Sequence, residues 1–469
     1  MMNNRLLKSS FWFVVTSVIL NGINIFTAPI FTNLLSTSEY GQISNFNTWS
    51  SIFSAVLGMG LSYTITNAEV DFNHRLNEYI GNIIVFLLLV ISCLCIILLF
   101  FFEEMIAEIT ELGCEMMWLS ILYTFFYSIY GIVQFRYIFE QKILKNAIVS
   151  IVPVLASVVL SIVFIVYFPF PKSFGRVLGN CIPTFVVGCI FAVYYMMKAK
   201  WSSFSEDLKY ALNISLPMVP HGLAIIVLGQ IDRIMIIKIF GDSEAGVYSF
   251  GYTLGMLVSI VSIAINKAFQ PWVFEEYKKE NYDIVRKTGR KMVFLVFVGI
   301  IVYCMVAPEV LHILADKKFW ASAGVIYPVA VSAFCQYIYG LYTNIEQYYK
   351  KTMYIAIGTI TASVINVVLN YLLMPIYGYQ VAAITTLIGY FVLMVYHYCA
   401  CRIITQRETY NFIFEIILFF VLVCFAIASY LLFDAIILRW IIAVVLMGFI
   451  GYLVLQNYIK KVRTGERLG

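Results

Sequence analysis

The chain has 469 residues, of which 62% are apolar and 12% are charged, and its formal net charge is +5. Soluble domains carry roughly 25% charged residues because water must wet their surface. Together with a mean hydropathy of +0.88, this composition excludes a soluble globular domain and indicates an integral membrane protein.

Apolar stretches long enough to cross a bilayer, about 20 residues each, recur along the whole chain. They fall near 9–35, 44–66, 79–102, 114–138, 146–168, 174–198, 208–238, 245–270, 288–308, 322–346, 352–375, 380–401, 410–432 and 435–458. No small-residue cleavage site follows the first stretch, which we therefore interpret as helix 1 and not as a removed signal peptide. The sequence predicts an all-α fold with about fourteen transmembrane helices.

The distribution of positive charges tests the predicted number of fourteen transmembrane helices. If the first residue is cytoplasmic, the inner segments carry 23 Lys and Arg residues and the outer segments carry 6. Cytoplasmic loops of membrane proteins are enriched in these residues, and a missed helix would invert the bias downstream of the error. Because the bias stays in phase, we expect both chain ends in the cytoplasm. The predicted loops are too short for a nucleotide-binding or catalytic domain.

The ten cysteines lie mostly within apolar segments, with no CxxC pair and no neighbouring histidine cluster. This pattern supports neither a zinc site nor a disulfide framework. We interpret the cysteines as small packing residues and expect no bound metal.

An internal repeat organises the chain. Three landmarks recur at an offset of 205 or 206: Ser38-Glu39-Tyr40-Gly41 with Ser243-Glu244-Ala245-Gly246, Glu140-Gln141 with Glu346-Gln347, and Pro169 with Pro375. The offset spans six helices, so both halves enter the membrane in the same sense and are related by an axis along the membrane normal. We expect an N-lobe (1–204, helices 1–6) and a C-lobe (205–406, helices 7–12) around a central cavity. We expect residues 407–469 to form helices 13 and 14 and a cytoplasmic tail.

Ionisable side chains at membrane depth are costly, so each is a candidate functional residue. Helix 7 contains His221, Asp232 and Arg233, and helix 8 contains Lys267. Asp232 and Arg233 either have structural partners or contact a substrate or ion. Lys267 either extends to the interface or binds substrate, and His221 either packs beside Pro220 or takes part in ion coupling.

Among the asparagines in the spans, Asn366 and Asn370 are four residues apart and so share one face of a helix. They either form interhelical hydrogen bonds or line a cavity for sugars.

Several segments resemble a known family. They are Ser215-Leu-Pro217-Met-Val-Pro220-His221-Gly222, Asp232-Arg233-Ile-Met-Ile, Ala245-Gly-Val-Tyr248-Ser249, Glu39-Tyr40-Gly41, Pro271-Trp272, Tyr349-Lys350-Lys351-Thr352 and Asn366-Val-Val-Leu-Asn370-Tyr371. In order and spacing they resemble the Wzx-type polysaccharide flippases. These belong to the MOP superfamily, which also includes the lipid II flippase and the MATE drug exporters.

The resemblance implies a flippase, not an enzyme, in the bacterial inner membrane. It would move an undecaprenyl-pyrophosphate-linked oligosaccharide outward by alternating access, for O-antigen or capsule synthesis. Arg233 is the first candidate for binding pyrophosphate because an Arg fork engages phosphate oxygens bidentately. Lys267, Arg136 and Arg176 follow, with Asn366 and Asn370 as further candidates for contacting the substrate.

The resemblance also implies that Asp232 orients Arg233 or binds a coupling ion, H⁺ or Na⁺. No other cofactor is expected. The expected partners are the lipid-linked substrate, membrane lipid and other polysaccharide assembly proteins, without nucleic acid.

Two other functions stay open at this point. The first is a MATE-like, cation-coupled drug exporter. The second is a membrane-embedded polysaccharide polymerase or acyltransferase. Such an enzyme needs catalytic carboxylates, histidines or arginines on sizeable loops, and the sequence contains no such group.

Overall fold

The computed structural model describes residues 4–97 and 102–442, and in this part of the chain the regular structure is helical, without strands. The α-helices are α1 Asn4–Leu34, α2 Thr37–Leu57, α3 Ile65–Asp71, α4 Leu76–Ile97, α5 Glu103–Thr110, α6 Gly113–Phe139, α7 Ile143–Tyr167, α8 Lys172–Met196, α9 Phe204–Ser215, α10 Val219–Phe240, α11 Asp242–Gly255, α12 Leu257–Lys278, α13 Tyr282–Leu314, α14 Ala323–Tyr348, α15 Thr352–Tyr377, α16 Val381–Thr405 and α17 Phe412–Leu431. Residues 436–442 are also helical.

Ten helices in the described residues are long and apolar enough to cross a membrane. This confirms the predicted all-α membrane fold. The helices α2 and α10 are more polar, and α10 carries both Asp232 and Arg233. The predicted last span, 435–458, lies mostly outside the described residues.

Several predicted boundaries are wrong. The helix predicted at 288–308 extends over Tyr282–Leu314, because backbone hydrogen bonds continue beyond the apolar part of a helix. The single helix predicted at 208–238 is two helices, α9 and α10, separated by one 3₁₀ turn at Leu216–Met218. Proline at 217 and 220 removes backbone donors there, which favours such a break.

The apolar core has two main parts. One contains buried side chains from Phe46 to Ala211, and the other contains buried side chains from Leu228 to Ala426. We call the helices around the first part the N-lobe and those around the second the C-lobe. Helix α9 packs with the N-lobe, whereas α17 packs on α13 and α14 of the C-lobe. The exact domain limits at 204/205 and 406/407 remain a prediction.

The lobes meet along α2 and α11 in a reciprocal contact. Ser44 and Ser249, which are 205 residues apart, share a hydrogen bond of 2.7 Å. A Cβ atom built on Gly41 would lie 1.9 Å from the Asp242 carbonyl oxygen, and one on Gly246 would lie 1.9 Å from the Thr37 carbonyl oxygen. Adding 205 to Gly41 gives Gly246, and adding 205 to Thr37 gives Asp242, so the repeat relates these two contacts to each other. Equivalent residues that contact one another are typical of a two-fold axis, which therefore passes beside Ser44 and Ser249.

Further hydrogen bonds between the lobes lie where α1 ends and α2 begins. Thr32 donates to the Leu314 carbonyl at 3.3 Å, and Thr37 shares a hydrogen bond of 2.8 Å with Ser243. We call this the closed end of the molecule. Among the described N-lobe helices, α4, α6 and α8 do not pack against α12, α14 or α16. The N-lobe is therefore joined to the C-lobe through α1 and α2.

Candidate functional site: a buried carboxylate and two arginines between the lobes

Asp232 is the centre of a polar cluster inside the C-lobe. Its side chain is 0% exposed. Its Oδ2 atom accepts hydrogen bonds from Tyr248 on α11 at 2.6 Å and from Thr386 on α16 at 2.8 Å. Its Oδ1 atom accepts from Asn370 on α15 at 2.7 Å. Three neighbouring helices therefore hold one carboxylate that water does not reach.

The two asparagines predicted from their spacing both belong to this cluster. Asn366 and Asn370 are 0% exposed. The Asn366 amide lies 3.3 Å from Asp232 Oδ1 and 3.3 Å from Asn370 Nδ2. Thr385 donates to Asn370 Oδ1. Tyr248, Thr386 and Asn370 all donate to Asp232, so the cluster stabilises the ionised carboxylate.

Arg233 does not form an ion pair with Asp232. Its Nη1 atom donates to the Gly229 carbonyl at 2.8 Å, and its guanidinium lies 4.5 Å from the centre of the Tyr252 ring. Adjacent helical residues point about 100° apart, which directs Arg233 away from the carboxylate cluster. Asp232 and Arg233 interact electrostatically without a direct ion pair, and the hypothesis that Asp232 orients Arg233 stays a prediction.

Arg176 of the N-lobe lies on the other side of the same region. Its guanidinium is 4.0 Å from the Phe31 ring centre, and its Nη1 atom donates to Ser161 at 2.6 Å. The hydroxyl of Tyr40 on α2 is close enough to both Arg176 and Arg233 to interact electrostatically. Neither arginine forms an ion pair with a carboxylate of the described residues. One cation from each lobe therefore lies near Tyr40, and Arg233 also interacts electrostatically with the Asp232 carboxylate.

The remaining predicted cations lie elsewhere. Lys267 is exposed on α12, next to Asn266. Arg136 lies in the last turn of α6 and contacts N-lobe residues. It donates to Asn77 at 2.6 Å, Tyr195 at 2.7 Å and Glu140 at 3.1 Å. These contacts favour a structural role for Arg136.

His221 lies in the first turn of α10, half-buried, and its Nδ1 atom has no hydrogen-bond partner. It is close enough to His397 on α16 to interact electrostatically. Asp232, the other candidate for ion coupling, lies further along α10, so the structure does not bring the two residues together.

Exposed polar side chains at membrane depth indicate which surface is wet. Asn24, Asn47 and Lys267 are exposed on α1, α2 and α12. Polar groups facing lipid are costly, and these three helices adjoin the contact between the lobes. These three side chains make the surface beside that contact polar.

Sequence reasoning missed several residues of these polar clusters. Tyr248 stood inside a segment used for the family resemblance, but no role was assigned to it. Thr385 and Thr386 lie within an apolar span, and nothing else in the sequence indicated that they belong to a polar cluster. The buried pair of Glu346 and His397 was also missed, because Glu346 served only as a landmark of the repeat.

The family model described as polysaccharide biosynthesis protein matches residues 6–275, more than half of the chain. The chain belongs to this family. It is a Wzx-type, flippase-type transporter of the MOP superfamily. A second family model, MatE, matches residues 217–372, the part of the chain that contains the Asp232 cluster.

Two curated relatives support the same family. Lsg locus putative protein 1 of Haemophilus influenzae is 20% identical to the flippase over 378 residues, covering 77% of this chain and 90% of the relative. The capsular polysaccharide biosynthesis protein CapF of Staphylococcus aureus is 23% identical over 261 residues, covering 51% of this chain and 64% of CapF.

Solved structures with the same fold include an inward-facing multidrug MATE transporter. Its TM-score is 0.63 at 16% identity, covering 84% of the flippase and 95% of that chain. The lipid II flippase MurJ aligns with a TM-score of 0.62 at 13% identity, covering 93% of this chain and 100% of MurJ. These similarities establish the fold of a multi-pass membrane transporter.

Proposed function

We propose that the protein flips an undecaprenyl-pyrophosphate-linked oligosaccharide from the cytoplasmic to the outer leaflet of the bacterial inner membrane. The repeat unit would supply O-antigen or capsule synthesis, together with other polysaccharide assembly proteins. The polar headgroup crosses through the cleft by alternating access, while the prenyl tail stays in lipid. In the topology predicted from the charges, the closed end faces outside, so the headgroup enters from the cytoplasm.

The observation that carries this proposal is the pair of arginines near Tyr40. Arg176 and Arg233 come from different lobes, and neither forms an ion pair with a carboxylate of the described residues. A buried cation without a counter-ion is costly unless a ligand supplies the opposite charge. Pyrophosphate supplies it, and Arg binds phosphate oxygens in two parallel hydrogen bonds. Because the arginines belong to both lobes, the anion would favour one relative position of the lobes.

The Asp232 cluster supports a second part of the proposal, coupling to a cation gradient. Its carboxylate accepts hydrogen bonds from Tyr248, Asn370 and Thr386, and Arg233 is close enough to interact with it electrostatically. Binding H⁺ or Na⁺ there removes a buried negative charge. The cluster bridges α10, α11, α15 and α16, so cation binding tightens the C-lobe.

The alternative of a MATE-like drug exporter has one observation in its favour, the MatE match over residues 217–372. An exporter of organic cations needs an accessible negative charge in the cleft. Asp232 is fully enclosed, whereas the groups near Tyr40 are cationic. The cleft is therefore better suited to an anionic headgroup. A polymerase or acyltransferase is the weaker alternative, since the matched families are transporters.

The test uses a host strain that lacks its own flippase and is complemented with the full chain. Surface polymer and the lipid-linked oligosaccharide exposed on the outer leaflet are measured for Arg176→Ala, Arg233→Ala and the double variant. We expect each single variant to reduce output at least tenfold while the protein stays in the membrane. Arg402→Ala is the matched control because Arg402 is exposed and hydrogen-bonds only Tyr398 among the described residues.

Two outcomes would reject the proposal. Normal polymer output from the Arg176→Ala, Arg233→Ala double variant would show that these arginines do not form an anion site needed for transport. Efflux of a rhodamine dye that depends on the protein, without any change in outer-leaflet oligosaccharide, would favour the drug exporter.

A further inference from the structure

A cavity of about 340 Å³ lies at the end of the C-lobe opposite the closed end. Residues from the end of α12, the start of α13, the end of α14 and the connection between α16 and α17 line it. Helix α14 begins beside the closed end, and its 26 residues span roughly 39 Å, which separates the cavity from that end. In the topology predicted from the charges, the cavity lies on the cytoplasmic side. The proposed function assigns it no role.

Three tyrosines form part of the wall of this cavity. Tyr277 is buried and meets Tyr282 edge to face, with ring centres 5.1 Å apart, and the ring centre of Tyr349 lies 6.3 Å from that of Tyr277. Tyr349 is exposed. Tyrosines are enriched at membrane–water interfaces, because the ring is apolar and the hydroxyl is polar. The wall therefore has the composition of a site at the level of lipid headgroups.

Arg407 is the cation of this cavity that has donors to spare for a ligand. The other cation, Arg286, donates to Glu408 at 2.6 Å. The Arg407 guanidinium lies 4.3 Å from the centre of the Tyr282 ring and forms no ion pair with a carboxylate of the described residues. Stacking fixes the plane of a guanidinium but leaves the N–H groups at its edge available for phosphate oxygens. Arg407 is therefore suited to bind a phosphate.

Thr409 adds a buried hydroxyl to the same cavity. The residue is 8% exposed, and its Oγ1 atom has no hydrogen-bond partner of good geometry, although the Tyr277 hydroxyl is close to it. A buried polar group is costly unless it is hydrogen-bonded. A ligand oxygen that accepts a hydrogen bond from Thr409 removes this cost. The hydroxyl and the guanidinium thus both favour a ligand with phosphate oxygens.

Two carboxylates restrict the ligand further. Glu280 and Asp283 line the cavity and are exposed, and neither forms an ion pair within the described part of the chain. Because Arg286 and Glu408 neutralise each other, one cation and two anions of the lining remain. The two carboxylates repel a ligand that carries only negative charge, but they attract an ammonium group, which also interacts favourably with tyrosine rings. The charges therefore favour a zwitterion with one phosphate and one ammonium group.

The surroundings of the cavity favour a lipid over a soluble ligand. Ile284, Ile403 and Ile413 are 48%, 59% and 71% exposed. Each of them lies within four residues of a residue that lines the cavity. Exposed apolar side chains beside a polar cavity provide a surface on which acyl chains can pack. A phospholipid has both the headgroup and the chains that this arrangement requires.

We propose that the cavity binds the headgroup of phosphatidylethanolamine from the cytoplasmic leaflet. The phosphate accepts hydrogen bonds from Arg407 and Thr409, the ammonium group lies near Glu280 and Asp283, and the acyl chains pack on the exposed isoleucines. The bound lipid connects the ends of α12, α14 and α16 with the start of α13 and so stabilises the C-lobe. The site is separate from Asp232 and from the arginines near Tyr40, and it does not depend on the identity of the transported headgroup.

The test measures lipid binding to the purified full chain by native mass spectrometry. Phosphatidylethanolamine and phosphatidylglycerol with identical acyl chains are compared, because both carry the phosphate and only the first carries the ammonium group. We expect the wild type to bind phosphatidylethanolamine about fivefold more tightly than phosphatidylglycerol. Arg407→Ala should weaken the binding of both lipids about tenfold, because it removes the charged donor to the phosphate.

The carboxylates are tested separately from the arginine. Glu280→Gln/Asp283→Asn should abolish the preference for phosphatidylethanolamine without weakening the binding of phosphatidylglycerol. Arg407, Glu280 and Asp283 are exposed, so these variants should fold. Glu275→Gln and Arg402→Ala are the matched controls, because both residues are exposed at the same end of the C-lobe but do not line the cavity. Both controls should bind the two lipids as the wild type does.

Three outcomes would overturn the proposal. The first is equal affinity of the wild type for the two lipids, or a preference that survives Glu280→Gln/Asp283→Asn. The second is a loss of binding in the control variants as large as that in the cavity variants. The third concerns soluble glycerophosphoethanolamine, which lacks acyl chains and should compete at least about 100-fold less well than the lipid. Competition at the same concentration as the lipid would show that the cavity binds a soluble ligand.

Discussion

The reciprocal glycine contact at the closed end makes a quantitative prediction. A Cβ atom on Gly246 would lie 1.9 Å from a carbonyl oxygen, whereas ordinary contact begins at 3.4 Å. The Gly246→Ala variant must therefore separate α2 from α11 by about 1.5 Å. Backbone atoms form the opposing surface, so no side chain can rotate away. Gly41→Ala should have the same effect, because the repeat relates the two contacts.

The cost follows from the hydrogen bonds that this separation removes. They are Ser44 with Ser249, Thr37 with Ser243, and Gln42 with Asp242. At about 0.6 kcal/mol for each hydrogen bond between membrane helices, the loss is about 2 kcal/mol. This corresponds to a shift of about 20-fold toward conformations in which the closed end is open. The double variant should add little to either single variant, because both substitutions open one gap.

The assay is pulsed electron paramagnetic resonance in nanodiscs. Spin labels are placed on noncanonical residues at Lys172 and Lys317, exposed positions near the closed end. We expect a longer distance between labels in Gly41→Ala and Gly246→Ala than in the wild type. Gly299→Ala is the control, because nothing lies within 4 Å of its Cβ position. Wild-type distances in both variants would refute the reciprocal contact.

Three further predictions concern individual buried groups. If Asp232 binds Na⁺, replacing choline chloride with sodium chloride at 100 times the dissociation constant should stabilise the wild type by about 2.7 kcal/mol. The same replacement should not stabilise Asp232→Asn. Thermal unfolding measures the stability of both proteins, and equal responses would exclude a sodium site at Asp232. The side chain of Asp207 is 0% exposed and accepts a hydrogen bond from Arg75 at 2.7 Å. Asp207→Ala should therefore lower the free energy of unfolding by about 3 kcal/mol and release α9. An unchanged melting temperature would contradict this. Glu309 accepts two hydrogen bonds from the buried Arg439. Glu309→Gln should therefore make the chain after α17 more sensitive to limited proteolysis. Resistance equal to that of the wild type would show that this ion pair does not hold the segment in place.

The sequence indicated three residues of the buried cluster as candidates, but it did not predict that they contact one another. Asn366 and Asn370 share a helical face, and a carboxylate at membrane depth such as Asp232 is unusual in any span. These three residues meet in the structure. Their hydroxyl donors, Tyr248 and Thr386, were not predicted, because many spans contain such residues and only the packing of four helices selects the ones that reach the carboxylate.

Other features required the tertiary structure. Glu346 and His397 are separated by 51 residues, and no local pattern connects them. Arg136 has the charge that phosphate binding needs, but the fold gives it three N-lobe partners. The break between α9 and α10 was missed because the apolar pattern continues through Leu216–Met218, although Pro217 and Pro220 were visible in the sequence.

The contact between Ser44 and Ser249 also bears on how such a chain can diversify. At this contact each half packs directly against the equivalent part of the other half. A bulkier residue acquired in one half requires a compensating change in its counterpart 205 positions away. Substitutions in the two halves are therefore linked at this contact.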